Sequence, residues 1–258
     1  MRSARPAERR GARMGHLRLI RMCSALPALP PPHGICKSRL ILHSEEGNGP
    51  QRQSPVNQDI RILPLHFLAD GARDQAAALY WQAFQGKLGR LLGRGDRALP
   101  VIRAALDPGH ALAAVTAGGT LVGVAGFRSA AGSFVSLSPE LLRRFYGPAG
   151  SSWRLGALRL LGVDTDNERF LIDGLSVSPA FRSQGIGRAL LEELASLARA
   201  EGYRAMRLDV AESNPRARAL YERCGFRVVQ KQRMPFAAPV FGVWSCNIME
   251  RRLSPSAP

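Results

Sequence analysis

The chain has 258 residues, 45% of them hydrophobic and 22% charged, which excludes wholesale disorder and a collagen-like fibre and allows one large domain or two small ones. Thirty-six basic residues against twenty acidic ones leave a net charge of +16, so a nucleic-acid or anionic-membrane partner has to be considered. No run approaches the length of apolar sequence that crosses a bilayer, and no membrane partner is expected.

The charge is unevenly spread. Residues 1–57 hold ten basic and three acidic residues. Only Lys37, Lys87 and Lys231 are lysines; the other thirty-three basic residues are arginines. That skew, with abundant Ala, Gly and Pro, is what a GC-rich coding sequence produces without a selected partner. The same N-terminal stretch carries Ala28-Leu29-Pro30-Pro31-Pro32 and a polar run from Ser44 to Ser54. With little to bury, it reads as a disordered basic extension. Its Arg-rich, acid-poor start is also that of a mitochondrial transit peptide. A plain tail, or a start placed too far upstream of Met14 or Met22, is the simpler reading. The folded domain is expected over 58–253, with 254–258 as a tail. Cys23, Cys36, Cys224 and Cys246 form no CxxC pair and have no His cluster beside them. No metal site and no disulfide framework are expected, and the setting is read as reducing and cytoplasmic.

Ile60 to Leu65 alternates briefly, as a short first strand does. Asp70 is placed to cap a helix with Ala76, Ala77, Leu79, Tyr80 and Phe84 on its apolar side. A second helix is predicted over Arg97–Leu106, stopping before Asp107-Pro108-Gly109. Ala111–Thr116 and Thr120–Phe127, joined by Ala117-Gly118-Gly119, read as a hairpin. Residues 133–162 predict two short helices broken at Gly147-Pro148; Phe145, Tyr146 and Trp153 there can line a pocket or join the core. Phe170–Val177 is a strand. Gly187–Ala200 is an amphipathic helix ended by Gly202. Tyr203–Val210 is the next strand. Asn214 caps a third clear helix with Pro215 at its first position and Gly225 after its end. Phe226–Gln230 and Gly242–Glu250 complete the pattern as a strand pair.

The chemistry starts after the strand at Val177, in Arg182-Ser183-Gln184-Gly185-Ile186-Gly187-Arg188. Gly185 and Gly187 let the backbone take conformations that side chains obstruct. The first N–H groups of the following helix have no intrahelical acceptor, and the dipole adds partial positive charge. A pyrophosphate can take these donors, and Arg182 and Arg188 can add charge-assisted hydrogen bonds. The loop lacks the third glycine of a dinucleotide fingerprint and the Lys-Ser/Thr of a Walker loop. Alone, it is as well read as a glycine-rich turn.

Arg182-x-x-Gly185-x-Gly187 and Asn214-x-x-Ala217-x-x-Leu220-Tyr221-x-x-x-Gly225-Phe226, at their mutual spacing, resemble the two signature motifs of the GNAT superfamily of N-acetyltransferases. The resemblance covers roughly residues 60–253 and is specific from Phe170 to Phe226. It implies an α/β fold with a central, twisted, mostly antiparallel sheet flanked by helices, in which one splayed strand pair holds the cofactor. It implies acetyl-CoA as co-substrate. The pyrophosphate would lie on Arg182, Ser183, Gln184, Gly185, Ile186, Gly187 and Arg188. The pantetheine arm would lie along Leu175 and Val177, and Asn214 would touch the cofactor as well as cap its helix. Tyr221 matches the family's usual proton donor to the departing thiolate; without the motif it reads as a core aromatic.

The attacking amine must lose a proton, and Asp173, in an otherwise apolar strand, is the first candidate to take it. Burial would raise its pKa toward neutrality. Strict alternation puts it on the face of Leu175 and Val177 unless a bulge intervenes. A structural carboxylate is an equal reading of Asp173, proton removal through water without a dedicated base is a third, and Asp209 and Glu212 are weaker candidates. Cys224 precedes Gly225 at a helix C-terminus, where the dipole disfavours a thiolate, so direct transfer to a primary amine in a ternary complex is expected over an acyl-enzyme. The acceptor, whether small molecule or protein amine, is left open, as is a homodimer. The rival readings are an acyl-CoA-binding module without catalysis and a basic nucleic-acid-binding protein. The second predicts Arg clustered with aromatics on one face, whereas the arginines here are dispersed.

Overall fold

The computed structural model describes residues 39–40, 59–69, 71–159 and 169–254. The sequence readings for the rest of 1–57, for Asp70 as a cap, for Leu161 and for 255–258 lie outside these residues. Among the described residues nine strands make one sheet: β1 (Arg39–Leu40), β2 (Ile60–Pro64), β3 (Ala111–Val115), β4 (Leu121–Ser129), β5 (Gly132–Ser133), β6 (Phe170–Val177), β7 (Ala205–Ala211), β8 (Arg227–Arg233) and β9 (Ser245–Arg252). Their order is β1-β2-β3-β4-β6-β7-β9-β8, with β5 on β4. All pairings are antiparallel except that of β6 with β7. The helices are α1 (Gly71–Leu92), α2 (Gly95–Ala105), α3 (Pro139–Arg159), α4 (Ile186–Ala200), α5 (Pro215–Arg223) and α6 (Ala238–Phe241). This is the mixed, mostly antiparallel α/β architecture that the motifs imply.

The two sheet faces carry separate cores. On one, α4 lays Leu190, Leu191, Leu194, Ala195 and Ala198 against Ile62, Ile172, Met206 and Met249. The i, i+4, i+8 spacing aligns these side chains, and each fully buried leucine contributes about 1.5–3 kcal/mol. Gly202 (φ 83) then takes the left-handed turn that ends the helix. On the other face, α1, α2, α3 and α6 enclose Leu91, Ile102, Phe134, Leu142 and Phe241.

Three differences from the sequence reading have physical causes. Helix α1 runs to Leu92, well past Phe84, because Leu91 and Leu92 pack into the second core. The last strand starts at Ser245, since Gly242 (φ 65) ends the four-residue α6. Tyr203 precedes β7 and packs edge-on to Phe170 at 5.5 Å between centroids.

The insert folds as expected into two helical pieces, with Gly147 (φ 71, ψ 179) breaking α3. Its Tyr146 and Arg154 anchor α1. The Tyr146 hydroxyl donates to the Leu92 carbonyl (2.7 Å), and Arg154 Nε donates to the Leu91 carbonyl (2.7 Å). Both acceptors are last-turn carbonyls that the helix itself leaves unsatisfied. The Arg154 guanidinium also stacks 3.6 Å from the Tyr146 ring centroid. Arg154→Lys keeps the charge and loses the planar fork and the stacking. Thermal unfolding is expected to show a loss of about 1.5 kcal/mol, or about 3–6 °C; an unchanged melting temperature would remove Arg154 from this role.

Candidate active site

Strands β6 and β7 part almost as soon as they meet. Only Phe170↔Met206 and Leu171↔Arg207 are paired; from Ile172 and Leu208 onward each strand continues without the other. A cavity of about 620 Å³ opens on the α4 side of this splay. Leu175 and Val177 from β6 form one wall, the Arg182–Arg188 loop another, and Asn214 and Tyr221 of the α5 segment a third.

The loop is shaped for close approach. Ser183 (φ 64) and Gly185 (φ 79, ψ −8) both take left-handed backbone, and Gly185 begins α4 with no side chain capping it. The first α4 N–H groups therefore keep their donors for a ligand. Gly187 backs onto Leu220: a methyl group there would lie 3.1 Å from Leu220 Cδ2. The Asn214 side-chain oxygen accepts from the Ala217 N–H (3.1 Å), the expected helix cap. Arg182 lines the cavity, but its Nε donates to the Val177 carbonyl (3.0 Å), so it also braces strand to loop. Gln184 points elsewhere; its Nε2 donates to the Ala180 carbonyl (3.3 Å), and it does not line the cavity.

Tyr221 sits on the α5 wall, 6.0 Å from the Phe226 ring centroid. Burial, and secondarily Cys224, pushes its phenol up to about 12, so it is protonated at neutral pH. Cys224 lines the same cavity, and burial raises its thiol too; this agrees with an inert thiol rather than a nucleophile.

The structure moves Asp173 to the other side of the sheet. Gly126 pairs with Gly174 and Phe127 with Ile172, so Asp173 is the extra residue of a β-bulge. The parity break turns it away from Leu175 and Val177, the opposite of what strict alternation predicts. Its Oδ1 meets Arg128 Nη2 at 3.2 Å, and its Oδ2 is buried with no hydrogen-bond partner among the described residues. Burial raises its pKa against the opposing pull of Arg128 and the Phe134 amide. Between 3.8 and that raised value, the folded protein holds a proton that the unfolded chain releases. Stability therefore falls as pH rises through this window and levels off above it. Urea unfolding across acid pH should show this fall in the wild type and a shallower one in Asp173→Asn; equal slopes would assign the effect to another group.

On that opposite face, α1 crosses the splay. Ser176 Oγ donates to the Leu79 carbonyl (3.0 Å). A methyl at Gly174 would lie 3.0 Å from the Phe84 ring, so a side chain there would push that ring back by a few tenths of an ångström. Further along, burial lowers the pKa of Lys87 against the electrostatic pull of Asp209 of β7 and Cys246 of β9. Asp209 also meets Arg207 Nε at 3.4 Å.

Arg216 and Arg223 line the cavity and were not singled out from sequence; Arg216 Nη2 donates to Ser183 Oγ (3.3 Å), tying α5 to the loop. A signal was present. Helices α1, α2 and α3 carry Asp74, Asp96 and Glu140 in their first turns, as the dipole favours. The first turns of α4 and α5 hold no acid and include Arg188 and Arg216, an arrangement that an anion between them would offset. Gln82 and Ala83 of α1 complete the rim. No group of His, Cys, Asp and Glu suited to a metal occurs among the described residues, and no helix among them is long and apolar enough to cross a membrane.

Residues 74–226, more than half of the chain, match the model of the acetyltransferase (GNAT) family. The chain belongs to the GNAT family. That places it among acyltransferases, in a family that uses acetyl-CoA. A stretch of 83 residues is 31% identical to streptothricin acetyltransferase of Streptomyces lavendulae, covering 32% of this chain and 44% of that relative. The match thus spans less than half the length of the curated protein. Two solved structures share the GNAT fold. One is described as an acetyltransferase: TM-score 0.51, 19% identity, 75% of this chain and 99% of the other covered. The second is an N-acetyltransferase from Staphylococcus aureus Mu50: TM-score 0.50, 16% identity, coverage 73% and 98%.

Proposed function

We propose that the chain moves an acetyl group from acetyl-CoA to a primary amine by direct attack in a ternary complex. The observation that carries this is the convergence, on one cavity, of an unpaired strand edge, an uncapped helix N-terminus flanked by arginines, and a buried neutral phenol. These features fit the parts of the co-substrate separately. The α4 N–H groups with Arg188 and Arg216 suit its pyrophosphate, and the main chain at Leu175 and Val177 suits the amide-bearing arm. Asn214 serves the same wall, and Gln184 supports the turn from behind. When bound, acetyl-CoA supplies a thioester carbonyl and a thiolate leaving group.

The chain's own groups then divide the work. Tyr221, protonated at neutral pH, donates a hydrogen bond as charge builds on the departing sulfur. The attacking amine must arrive neutral. Asp173, buried and with a raised pKa, can take its proton from the α1 face of the splay, directly or through water. A reducing, cytoplasmic setting belongs to this proposal, in keeping with the free thiols of Cys224 and Cys246.

Titration calorimetry with acetyl-CoA, followed by thiol release over a panel of amines, tests the reading. The panel should include streptothricin, after which the curated relative is named. Saturable binding plus amine-dependent thiol release is expected. Failure to bind would overturn the proposal, and binding without turnover on any amine would reduce it to a cofactor-binding module.

A further inference from the structure

Helix α1 crosses the gap between β6 and β7 on the face opposite the cavity, and it brings an amine with it. Ala83 lines the cavity. Lys87 is one helical turn further on the same face of α1. Its Nζ is 5.9 Å from the centroid of the Phe84 ring, which itself packs over Gly174 of β6. Asp209 of β7 and Cys246 of β9 act on Lys87 electrostatically. The lysine thus lies one turn beyond the cavity rim, beside the ring that covers Gly174 of β6. It is half-buried, so it is neither sealed in the core nor freely solvated.

We propose that Lys87 is a self-acetylation site, modified by the chain's own acetyl transfer when no external amine occupies the acceptor side. The inference rests on the acetyl-transfer reading above. The Lys87 ammonium first gives a proton to Asp209 or water. The neutral Nζ attacks the thioester carbonyl carbon; the N–C bond forms and the C–S bond breaks. The sulfur leaves while accepting a hydrogen bond from the Tyr221 hydroxyl, and the surplus proton on the new amide nitrogen passes to it through water. One acetyl group and one thiol are accounted for, and no oxidant or metal is needed. Lys87 has two advantages in this position. It is tethered one helical turn from Ala83 at the cavity rim, which replaces a bimolecular encounter. Its pKa is lowered by burial, so more of it is neutral at a given pH.

Acetylation would erase the Lys87 cation, whose charge acts on Asp209, and leave that carboxylate with its ion pair to Arg207. The acceptor side would then favour cationic amines more strongly than before. The modification is therefore a regulation of the same site, as well as a side reaction of it.

The test follows intact mass and peptide maps after exposure of the full chain to acetyl-CoA without an amine. Lys87 should gain one acetyl group about a hundredfold faster than Lys231, the exposed lysine of edge strand β8. The rate should not depend on protein concentration. Gly185→Asp should abolish the modification, and Lys231→Arg should leave it intact. A second readout needs no cofactor. Trace labelling of the free protein with acetic anhydride should modify Lys87 at lower pH than a model lysine peptide, since its burial outweighs the opposing pull of Asp209 and Cys246.

Turnover of an external amine with Lys87 unmodified overturns this inference and leaves the enzyme reading standing. Equal labelling of Lys87 and Lys231, or labelling that survives Gly185→Asp, also overturns it, since bulk chemistry then suffices. Absence of acetyl-CoA binding removes both.

Discussion

Gly185→Asp is expected to lower acetyl-CoA affinity about a thousandfold while the protein stays folded. Two effects add at this position. The backbone there is left-handed, at φ 79, and an L-residue in that region costs about 1 kcal/mol; aspartate is among the residues that tolerate it best. The larger effect is charge. The new carboxylate would share the α4 N-terminus with a pyrophosphate, and two unit charges about 4 Å apart near a protein surface repel by about 4 kcal/mol. That corresponds to about a thousandfold in dissociation constant. Calorimetry reads the affinity, and thermal unfolding without ligand reads the fold. Retained affinity would mean that the phosphates bind elsewhere. Lost affinity with a collapsed melting temperature would mean that only the strain had been measured, and Gly185→Ala, which brings strain without charge, separates the two.

Tyr221→Phe should lower turnover by about ten- to a hundredfold with cofactor affinity held within about twofold. The size follows from the environment of the phenol. Burial pushes it up to about 12, whereas an ordinary thiol titrates near 8.5. Complete proton transfer from phenol to thiolate is therefore uphill by roughly 5 kcal/mol. What Tyr221 supplies in the transition state is a charge-assisted hydrogen bond, worth about 1.5–3 kcal/mol, and the full proton arrives from the amine side. Steady-state thiol release beside calorimetry separates the two quantities. Unchanged turnover would return Tyr221 to a packing role, and a parallel loss of affinity would mean that the hydroxyl holds the cofactor instead.

The cofactor side was the legible part of the sequence because its signals are local. Gly185 turns because no side chain obstructs it, Asn214 caps because its oxygen reaches an N–H three residues on, and Gly202 and Gly225 end helices by going left-handed. Each of these is decided within a few residues. The face of Asp173 was open because it depends on one skipped residue opposite Gly126 and Phe127, and a bulge is a property of the pair rather than of either strand. Arg216 was passed over because its relevance lies in the approach of α5 to a loop more than thirty residues earlier. The long reach of α1 was hidden for a related reason: Leu91 and Leu92 are buried by the distant insert, whose Tyr146 and Arg154 cap that helix end. Trp153, by contrast, remains nearly half exposed at 47% and borders no part of the cavity.

The brief contact of β6 with β7 has a mechanical consequence. With two paired positions joining them, the sheet behaves as two leaves hinged near Phe170 and Met206, β1 to β6 on one side and β7 to β9 on the other. Few backbone hydrogen bonds resist their opening; the helices spanning both leaves carry that load. A ligand lodged in the cleft would bridge the leaves where the ladder does not, and its binding free energy would add to the resistance of the whole sheet to unfolding. The amides of Leu208 to Ala211 and Ile172 to Val177 should therefore report occupancy through slowed hydrogen exchange, well before any change in shape.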